Sequence, residues 1–161
     1  MNILIVYASK HGFTERAAFR IRDELGDHAT IRNVKKIGNL DLETFDLILI
    51  GGSFHIGKIQ SGIRRFIQKN LDLLLKKRVG IFLSCMAEGE EAETQLKNAF
   101  PEELLNSAVA VEMIGGEFNF EKMNFLSRSM IRKAAGTEKS VSNIKEQNIG
   151  KFISKIKQVI K

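Results

Sequence analysis

The sequence predicts an α/β domain built on a doubly wound, five-stranded parallel sheet, with strand order 2-1-3-4-5 and helices on both faces. Three observations indicate this class. Apolar runs alternate with segments of helical period, which is the pattern of parallel strands joined by right-handed crossovers. Several runs are apolar throughout, as in strands covered on both faces. The length of 161 residues suits five strands better than the six-stranded order, and we expect one domain over residues 1–161.

The five strands are predicted from the apolar runs, at residues 3–7, 28–34, 47–50, 79–83 and 108–114. The second run is more polar than the others, which is typical of an edge strand. Two glycine pairs, Gly51-Gly52 and Gly115-Gly116, follow the third and fifth runs. Because glycine is unfavourable inside strands, we expect these pairs to end them.

Helices are predicted from apolar residues at helical spacing, at residues 14–25, 63–74, 90–100 and 149–160, and residues 127–135 are also helix-prone. The sequence neither predicts nor excludes a helix between the second and third strands. The last segment has the clearest amphipathic pattern in the chain. In such sheets ligands bind at the carboxyl ends of the strands where the strand order reverses. The loops after the first, third and fourth strands are therefore the expected site.

The charge is unevenly distributed along the chain. The formal net charge is +6; residues 1–116 carry 15 basic and 15 acidic side chains, whereas residues 117–161 carry 10 and 4. A basic face attracts anionic lipid, an acidic partner or nucleic acid, and a solvated lysine-rich helix explains the pattern equally well. The single cysteine can form no internal disulfide, and no apolar run reaches the ~18 residues of a membrane span. We expect a cytoplasmic protein without a secretory signal.

The loop after the first strand is the first candidate site. It reads Ser9-Lys10-His11-Gly12-Phe13-Thr14 and leads directly into the first helix. A helix N-terminus presents unpaired N–H groups and a partial positive charge, both of which favour phosphate. The hydroxyls of Ser9 and Thr14 add donors, although simple helix capping by either is the alternative. The loop lacks the spacing of a nucleoside triphosphatase or of a dinucleotide fingerprint.

This loop resembles the flavodoxin signature (S/T)-x-T-G-x-T, which wraps the phosphate of flavin mononucleotide (FMN). Ser9, Gly12 and Thr14 match the signature, and His11 stands where the third position is usually threonine. In that family the loops after the third and fourth strands hold the isoalloxazine ring. The resemblance therefore implies FMN as the cofactor. It implies ring contacts from Ser53, Phe54, His55, Ile56, Gly57, Ser84, Cys85, Met86, Glu88 and Gly89.

Two side chains in these loops are candidates for chemistry. His55 is the candidate catalytic residue, as a proton donor or as a stabiliser of reduced flavin, because histidine titrates near neutral pH; a solvated loop histidine is the alternative. Cys85 follows a buried strand, and packing is favoured over a reactive thiol. The chain has no Trp, so Phe54, His55 and Met86 are the available stacking partners. Its three His and one Cys show no ligand spacing, and no metal site is expected.

A narrower resemblance is to the flavodoxin-like, quinone-dependent protoporphyrinogen oxidases of haem biosynthesis. The loop at residues 52–58 is similar to theirs, and Gly115-Gly116 is followed by an aromatic and basic insert, as in that family. Such an insert would suit an anionic porphyrinogen, a quinone at an anionic membrane surface or a second subunit. The alternative is that its Phe and Met residues fill the core beside the sheet edge. The candidate contact residues are Phe118, Phe120, Arg128, Arg132 and Lys133. We expect Met123 and Leu126 to pack in the core beside the sheet edge.

These features lead to two functional hypotheses. The first is an FMN-dependent oxidoreductase that passes electrons from a substrate, a porphyrinogen under the narrower resemblance, to a quinone or another redox partner. Such a protein would work in the cytoplasm, as a peripheral protein at the inner face of an anionic membrane, and its basic surroundings would stabilise anionic reduced flavin. The second is a flavodoxin-type one-electron carrier without a small-molecule substrate of its own. A homodimer is compatible with both, and no nucleic-acid partner is expected.

Overall fold

The computed structural model of the chain describes residues 1–136 and 139–161. The strands are β1 (Ile3–Tyr7), β2 (Ala29–Asn33), β3 (Leu47–His55), β4 (Lys58–Ile59), β5 (Arg78–Ser84), β6 (Ala110–Phe118) and β7 (Val141–Ile144). The helices are α1 (Phe13–Leu25), α2 (Ser61–Leu74), α3 (Gly89–Ala99), α4 (Glu102–Ser107), α5 (Phe125–Ala135) and α6 (Glu146–Ile160). Short 3₁₀ turns lie at Val34–Lys36, Leu42–Thr44 and Phe120–Lys122.

The sheet has the predicted doubly wound class but contains seven strands instead of five. Its parallel part runs β2-β1-β3-β5-β6, which is the predicted order 2-1-3-4-5. The two further strands are antiparallel: β7 pairs with β6 at the sheet edge, and β4 pairs with the end of β3. Both are short, with two residues in β4 and four in β7, so neither has room for an apolar pattern and each depends on a neighbouring strand.

Both glycine pairs that were expected to end strands lie inside them. β3 continues to His55 and turns back into β4 through Ile56 and Gly57, whose φ angles are 50° and 70°. β6 continues through a bulge at which Ser84 pairs with Gly115. Gly115 has φ 79°, and a Cβ atom there would lie 1.9 Å from the carbonyl oxygen of Asn143. Glycine at this position therefore permits both the bulge and the pairing with β7.

Helices cover both faces of the sheet, as predicted. Side chains alternate along β1, so that Ile3 and Ile5 belong to one apolar cluster and Leu4 and Val6 to the other. The first cluster includes residues of α1 and α6, and the second includes residues of α2 and α4. Fully burying one such aliphatic side chain contributes about 1.5–3 kcal/mol. The two clusters fix the ends of β1, β3 and β5 relative to one another.

The crossover from β2 to β3 contains no α-helix. The sequence had neither predicted nor excluded a helix at this place. Asn33 and Asp41 each accept a hydrogen bond from the backbone amide two residues on, at 3.0 Å. These side-chain bonds compete with helical hydrogen bonding and favour short turns. The face of the sheet on the α2 side is covered here by two 3₁₀ turns and the loop that joins them.

Candidate functional site

A narrow cleft lies at the carboxyl ends of β1, β3 and β5, where the strand order reverses. Its lining consists of Ser9, Lys10, His11, Phe13, Thr14, Ser53, Phe54, His55, Ser84, Met86 and Glu117. All of these except Glu117 are site residues predicted from the sequence. The cleft is narrow, with a free volume of about 30 Å³.

The other predicted cofactor residues do not line the cleft; these are Gly12, Ile56, Gly57, Cys85, Glu88 and Gly89. Ile56 and Gly57 form the tip of the β3–β4 hairpin, and Ile56 is 56% exposed. A β-branched residue with positive φ is unusual, so this tip is conformationally strained. Glu88 pairs with Lys145 of the chain's last quarter, with a nitrogen–oxygen distance of 3.2 Å.

The phosphate-type loop has the geometry of an uncapped helix start. Gly12 precedes α1 with φ 89°, and no side chain caps the helix there. The Gly12 amide donates to Ser9 Oγ at 3.0 Å, and the helical ladder begins with Arg16 N–H donating to the Gly12 carbonyl. The amides of the first helical turn have no acceptor within the helix. This donor set suits an anion such as phosphate.

Two histidines meet across the cleft. The rings of His11 and His55 have centroids 5.6 Å apart and planes at 73°. His55 Nε2 lies 3.0 Å from Ser53 Oγ, which orients that ring. His11 Nε2 is buried and has no hydrogen-bond partner among the described residues. Such an unpaired buried nitrogen is available to an acceptor on a ligand.

The surroundings of both histidines favour the neutral imidazole. Burial lowers the pKa of His55 to about 4, with further lowering by His11 and Lys10. Burial and Lys10 also lower the pKa of His11. The expectation that His55 titrates near neutral pH is therefore wrong for the chain in this state. Its neutral ring can still donate or accept one hydrogen bond at each nitrogen.

Gln60 and Glu117 are two site residues that sequence reasoning missed. Gln60 links two loops: its Nε2 donates to the Ala8 carbonyl at 3.2 Å, and its Oε1 accepts from the Ser53 amide at 2.8 Å. Glu117 reaches the cleft because β6 extends beyond its bulge, and it forms an ion pair with Arg16. Neither residue belongs to a recognisable motif, and both roles depend on how the strands end.

Cys85 is a packing residue in this structure, which was the favoured interpretation. It is 2% exposed, and its thiol contacts Gln95 Oε1 at 3.5 Å and the Ala87 carbonyl at 3.7 Å. Burial raises the pKa of the Cys85 thiol. A thiol held in its protonated form is a poor nucleophile.

The predicted contact residues of the insert separate into buried and exposed groups. Phe120 is buried in a small cluster with Met123 and Ile131, whereas the side chain of Phe118 lies outside the described part of the chain. Arg128 is half-buried, and its Nε has no partner among the described residues. Arg132 and Lys133 are exposed.

The outer face of α5 carries three exposed apolar residues. Phe125 is 85% exposed, Leu126 is 70% exposed and Met130 is 44% exposed. The expectation that Leu126 packs in the core is wrong, although Met123 does so. Helical spacing places Leu126, Met130 and Lys133 on one stripe of α5, and Phe125 and Arg132 on the neighbouring stripe. The five residues together form a surface that we call the α5 patch.

Much of the basic excess of the C-terminal quarter is paired with acidic residues of the body. Lys155 and Lys151 lie 2.9 and 3.4 Å from Glu112, and Lys157 lies 2.7 Å from Glu24. The positive charge is therefore less concentrated in space than in sequence. Within residues 1–136 and 139–161, no helix is long and apolar enough to cross a bilayer.

The protein-family model for the flavodoxin domain matches residues 4–144 of the chain. The chain belongs to the flavodoxin domain family. Among curated proteins, this flavodoxin-domain chain is similar to protoporphyrinogen IX dehydrogenase [quinone] of Escherichia coli strain K12. The two are 25% identical over 140 residues, which cover 82% of this chain and 77% of the relative.

Solved flavodoxins have the same fold as this flavodoxin-domain chain. Two-electron reduced flavodoxin of Megasphaera elsdenii matches with a TM-score of 0.56 and 22% identity, covering 69% of this chain and 84% of its own. The flavodoxin of Fusobacterium nucleatum bound to flavin mononucleotide matches with a TM-score of 0.53 and 17% identity, covering 98% of each chain. At these identities the likeness concerns the fold.

Proposed function

We propose that this flavodoxin-domain chain is an FMN-dependent oxidoreductase. The observation that carries the proposal is the convergence of three loops on one cleft: Ser9–Thr14, the end of β3 and the end of β5. The cleft lies at the reversal point of the strand order, which is where nucleotide cofactors bind in such sheets. The FMN complex of the Fusobacterium nucleatum relative supports the choice of cofactor.

The phosphate of FMN fits the start of α1. The amides of the first turn supply donors without a helical acceptor, and Thr14, which is 1% exposed, supplies a hydroxyl at the same place. Lys10 adds a positive charge, and the unpaired His11 Nε2 adds a further nitrogen. A dianion at this position is favoured by the helix dipole and by the cation together.

The ring of FMN would lie between the β3–β4 hairpin and the loop after β5. Phe54, His55 and Met86 line that side and offer soft or aromatic surfaces for a flat ring. Because the free volume of the cleft is small, we expect the hairpin and the His55 ring to move outward on binding. When bound, FMN would supply the redox chemistry, accepting two electrons and a proton as a hydride equivalent and passing them to an acceptor.

For the substrate, we propose a reduced tetrapyrrole as the electron donor and a quinone as the acceptor. The likeness to the Escherichia coli protoporphyrinogen IX dehydrogenase [quinone], which spans 82% of this chain, supports this choice. The alternative is a one-electron carrier of the flavodoxin type. A basic chain without Trp departs from the acidic surroundings and aromatic stacking of such carriers, which favours the enzyme.

We further propose that the α5 patch contacts an anionic membrane surface, with the protein on the cytoplasmic side. Exposed apolar side chains beside Arg132 and Lys133 suit the boundary between headgroups and acyl chains. Flotation with phosphatidylglycerol vesicles should recover the protein, and phosphatidylcholine vesicles should not. Phe125→Ser with Leu126→Ser should abolish flotation, whereas the exposed control Ile144→Ser should not. Equal recovery with both lipids would rule out this contact.

Two measurements test the central proposal. Addition of FMN to the purified chain should give a yellow protein with saturable quenching of flavin fluorescence, and riboflavin, which lacks the phosphate, should bind more weakly. A chain that binds neither is not a flavoprotein. With FMN bound, oxidation of protoporphyrinogen IX coupled to reduction of a menaquinone analogue supports the enzyme. Absence of that activity, together with two resolved one-electron steps in a reductive titration, selects the carrier.

A further inference from the structure

A second cleft lies between the helix-free crossover and α2. Crossovers between parallel strands usually carry a helix that covers the sheet, but here residues 34–46 form only 3₁₀ turns and loops. The space beside them is a cleft of about 380 Å³, within the usual size range of small-molecule sites. None of its lining residues lines the cleft at the carboxyl ends of β1, β3 and β5.

The floor of the second cleft is apolar. It is formed by Val34, Ile37 and Leu40 of the crossover, with the buried Leu42 beside them and the buried Phe66 of α2 opposite. All five side chains belong to or pack against the apolar cluster on the α2 face of the sheet. A ligand with an apolar body would therefore be in contact with the core rather than with loose surface side chains.

The shape of α2 contributes to this cleft. Asn70 has non-helical angles inside α2, φ −118° and ψ 15°, and its Nδ2 donates to the Phe66 carbonyl at 2.7 Å. The helix is therefore kinked where it borders the cleft. At the other end, a Cβ atom on Gly62 would lie 3.0 Å from Val34 Cγ1. Helix and crossover are thus in close contact at this end of the cleft.

The charged residues lining the second cleft are all cations. They are Lys35, Arg65 and Lys69, and no acidic residue belongs to the lining. None of the three forms an ion pair with a residue in the described part of the chain. Arg65 donates a weak hydrogen bond of 3.4 Å to the Ser61 carbonyl of its own helix. Three cations around one void repel one another, and an anion in it would offset that repulsion.

We propose that this cleft binds a small amphipathic anion, with its apolar body on the Ile37–Phe66 floor and its carboxylate among Lys35, Arg65 and Lys69. The apolar floor selects for the body and the cations select for the head group. A carboxylate that reaches the guanidinium of Arg65 can accept two parallel hydrogen bonds. The proposal does not depend on FMN, because the two clefts share no residues.

Octanoate is a suitable probe, with octanol and octylammonium as matched neutral and cationic chains. Binding is measured by calorimetry and by shifts of amide NMR signals at low salt. We expect octanoate to bind at least about tenfold more tightly than octanol, with the largest shifts at Gly38, Gly62 and their neighbours. Octylammonium should not bind. Equal affinity for octanoate and octanol, or shifts centred on other residues, would overturn the proposal.

A charge-matched pair of triple variants separates the site from general attraction. Lys35→Gln/Arg65→Gln/Lys69→Gln removes the three lining cations, and octanoate affinity should fall at least about tenfold. Lys36→Gln/Arg64→Gln/Lys76→Gln removes three exposed cations that do not line the cleft, and affinity should change less than about twofold. Equal losses in both variants would show that net charge alone attracts the anion, and would refute the site.

Discussion

The rings of His11 and His55 meet edge to face at 5.6 Å, and they join the phosphate-type loop to the β3–β4 hairpin. Lys10 stands beside them, and Glu117, which also lines the cleft, is already paired with Arg16. Protonation of either ring would place two or three positive charges together in a half-buried space. The contact is therefore stable only while both rings are neutral.

The first prediction concerns the dependence of stability on pH. The pKa of His55 falls from 6.5 to about 4 on folding, so the unfolded chain binds this proton more tightly than the folded chain. Stability is then full above about pH 6.5 and falls as the pH drops towards 4. A tenfold difference in proton affinity corresponds to about 1.4 kcal/mol, and with allowance for screening we expect the free energy of unfolding to fall by roughly 2 kcal/mol.

Urea unfolding at pH 7 and pH 4.5 measures this effect. His55→Asn should remove much of the difference between the two pH values. The control is His28→Asn, because His28 is exposed and does not line the cleft. This variant should retain the difference in stability between the two pH values. A wild-type difference that His55→Asn leaves unchanged would show that other groups cause the acid instability.

The second prediction concerns proton uptake on FMN binding. Burial, and after it the charge of Lys10, lowers the pKa of His11. A phosphate beside His11 would supply a negative charge that opposes both causes and raises this pKa. At pH 6 we expect uptake of about one proton per FMN bound. Calorimetry in two buffers with different ionisation enthalpies measures the number directly.

Riboflavin and the double variant His11→Asn/His55→Asn are the controls for this measurement. Riboflavin has no phosphate and should bind with little proton uptake. The double variant should bind FMN with no net uptake, whether or not its affinity changes. Equal uptake with FMN and riboflavin would place the proton elsewhere than beside the phosphate.

The third prediction separates backbone strain from ligand contact. Gly12 and Gly26 both have positive φ, 89° and 77°, at opposite ends of α1. Alanine at either position should lower the free energy of unfolding by about 1 kcal/mol. Only Gly12→Ala should also lower FMN affinity, by at least about tenfold, because Gly12 belongs to the loop proposed to surround the phosphate, whereas Gly26 lies at the other end of α1.

Fluorescence titration with FMN and thermal unfolding of the same samples measure the two effects. The comparison with Gly26→Ala is informative because its Cβ would meet nothing within 4 Å. If both variants lose FMN affinity equally, the loss reflects general destabilisation and the Ser9–Thr14 loop is not the phosphate site.

The central architecture could be predicted from sequence because it depends on long apolar runs. Strands such as Ile3–Tyr7 and Leu47–Ile50 are buried on both faces, and their order follows from the alternation with helices. The position of the cleft also follows, since the strand order alone fixes where the carboxyl ends diverge. The strand order predicts the three loops, and the flavodoxin resemblance implies the ten residues of those loops that line the cleft.

The features that sequence reasoning missed depend on tertiary contact. β7 at Val141–Ile144 is mostly exposed, so it has no apolar pattern and forms only because β6 presents an edge. The extension of β6 beyond Gly115 brings Glu117 to the cleft. The low pKa of His55 arises first from burial and then from His11, which lies 44 residues away in the chain and meets it only in the folded structure. No local pattern encodes such a meeting.

The last prediction concerns the attachment of α6 to the sheet. Glu112 of β6 is 7% exposed, and its carboxylate accepts a hydrogen bond from Lys155 Nζ at 2.9 Å, with Lys151 at 3.4 Å. Glu112→Gln should lower the free energy of unfolding by about 1–2 kcal/mol, because it replaces a charge-assisted bond in a largely buried place.

The control for Glu112→Gln is Glu24→Gln, which removes the ion pair between Glu24 and Lys157. That pair has a comparable distance of 2.7 Å, but the Glu24 side chain is 51% exposed and the Lys157 side chain is 44% exposed. Its cost should be under about 0.5 kcal/mol, because solvent screens exposed pairs. Added salt should reduce the small effect of Glu24→Gln more than the larger effect of Glu112→Gln. Equal costs for the two variants in urea unfolding would show that burial of Glu112 adds nothing to the pairing of α6 with the sheet.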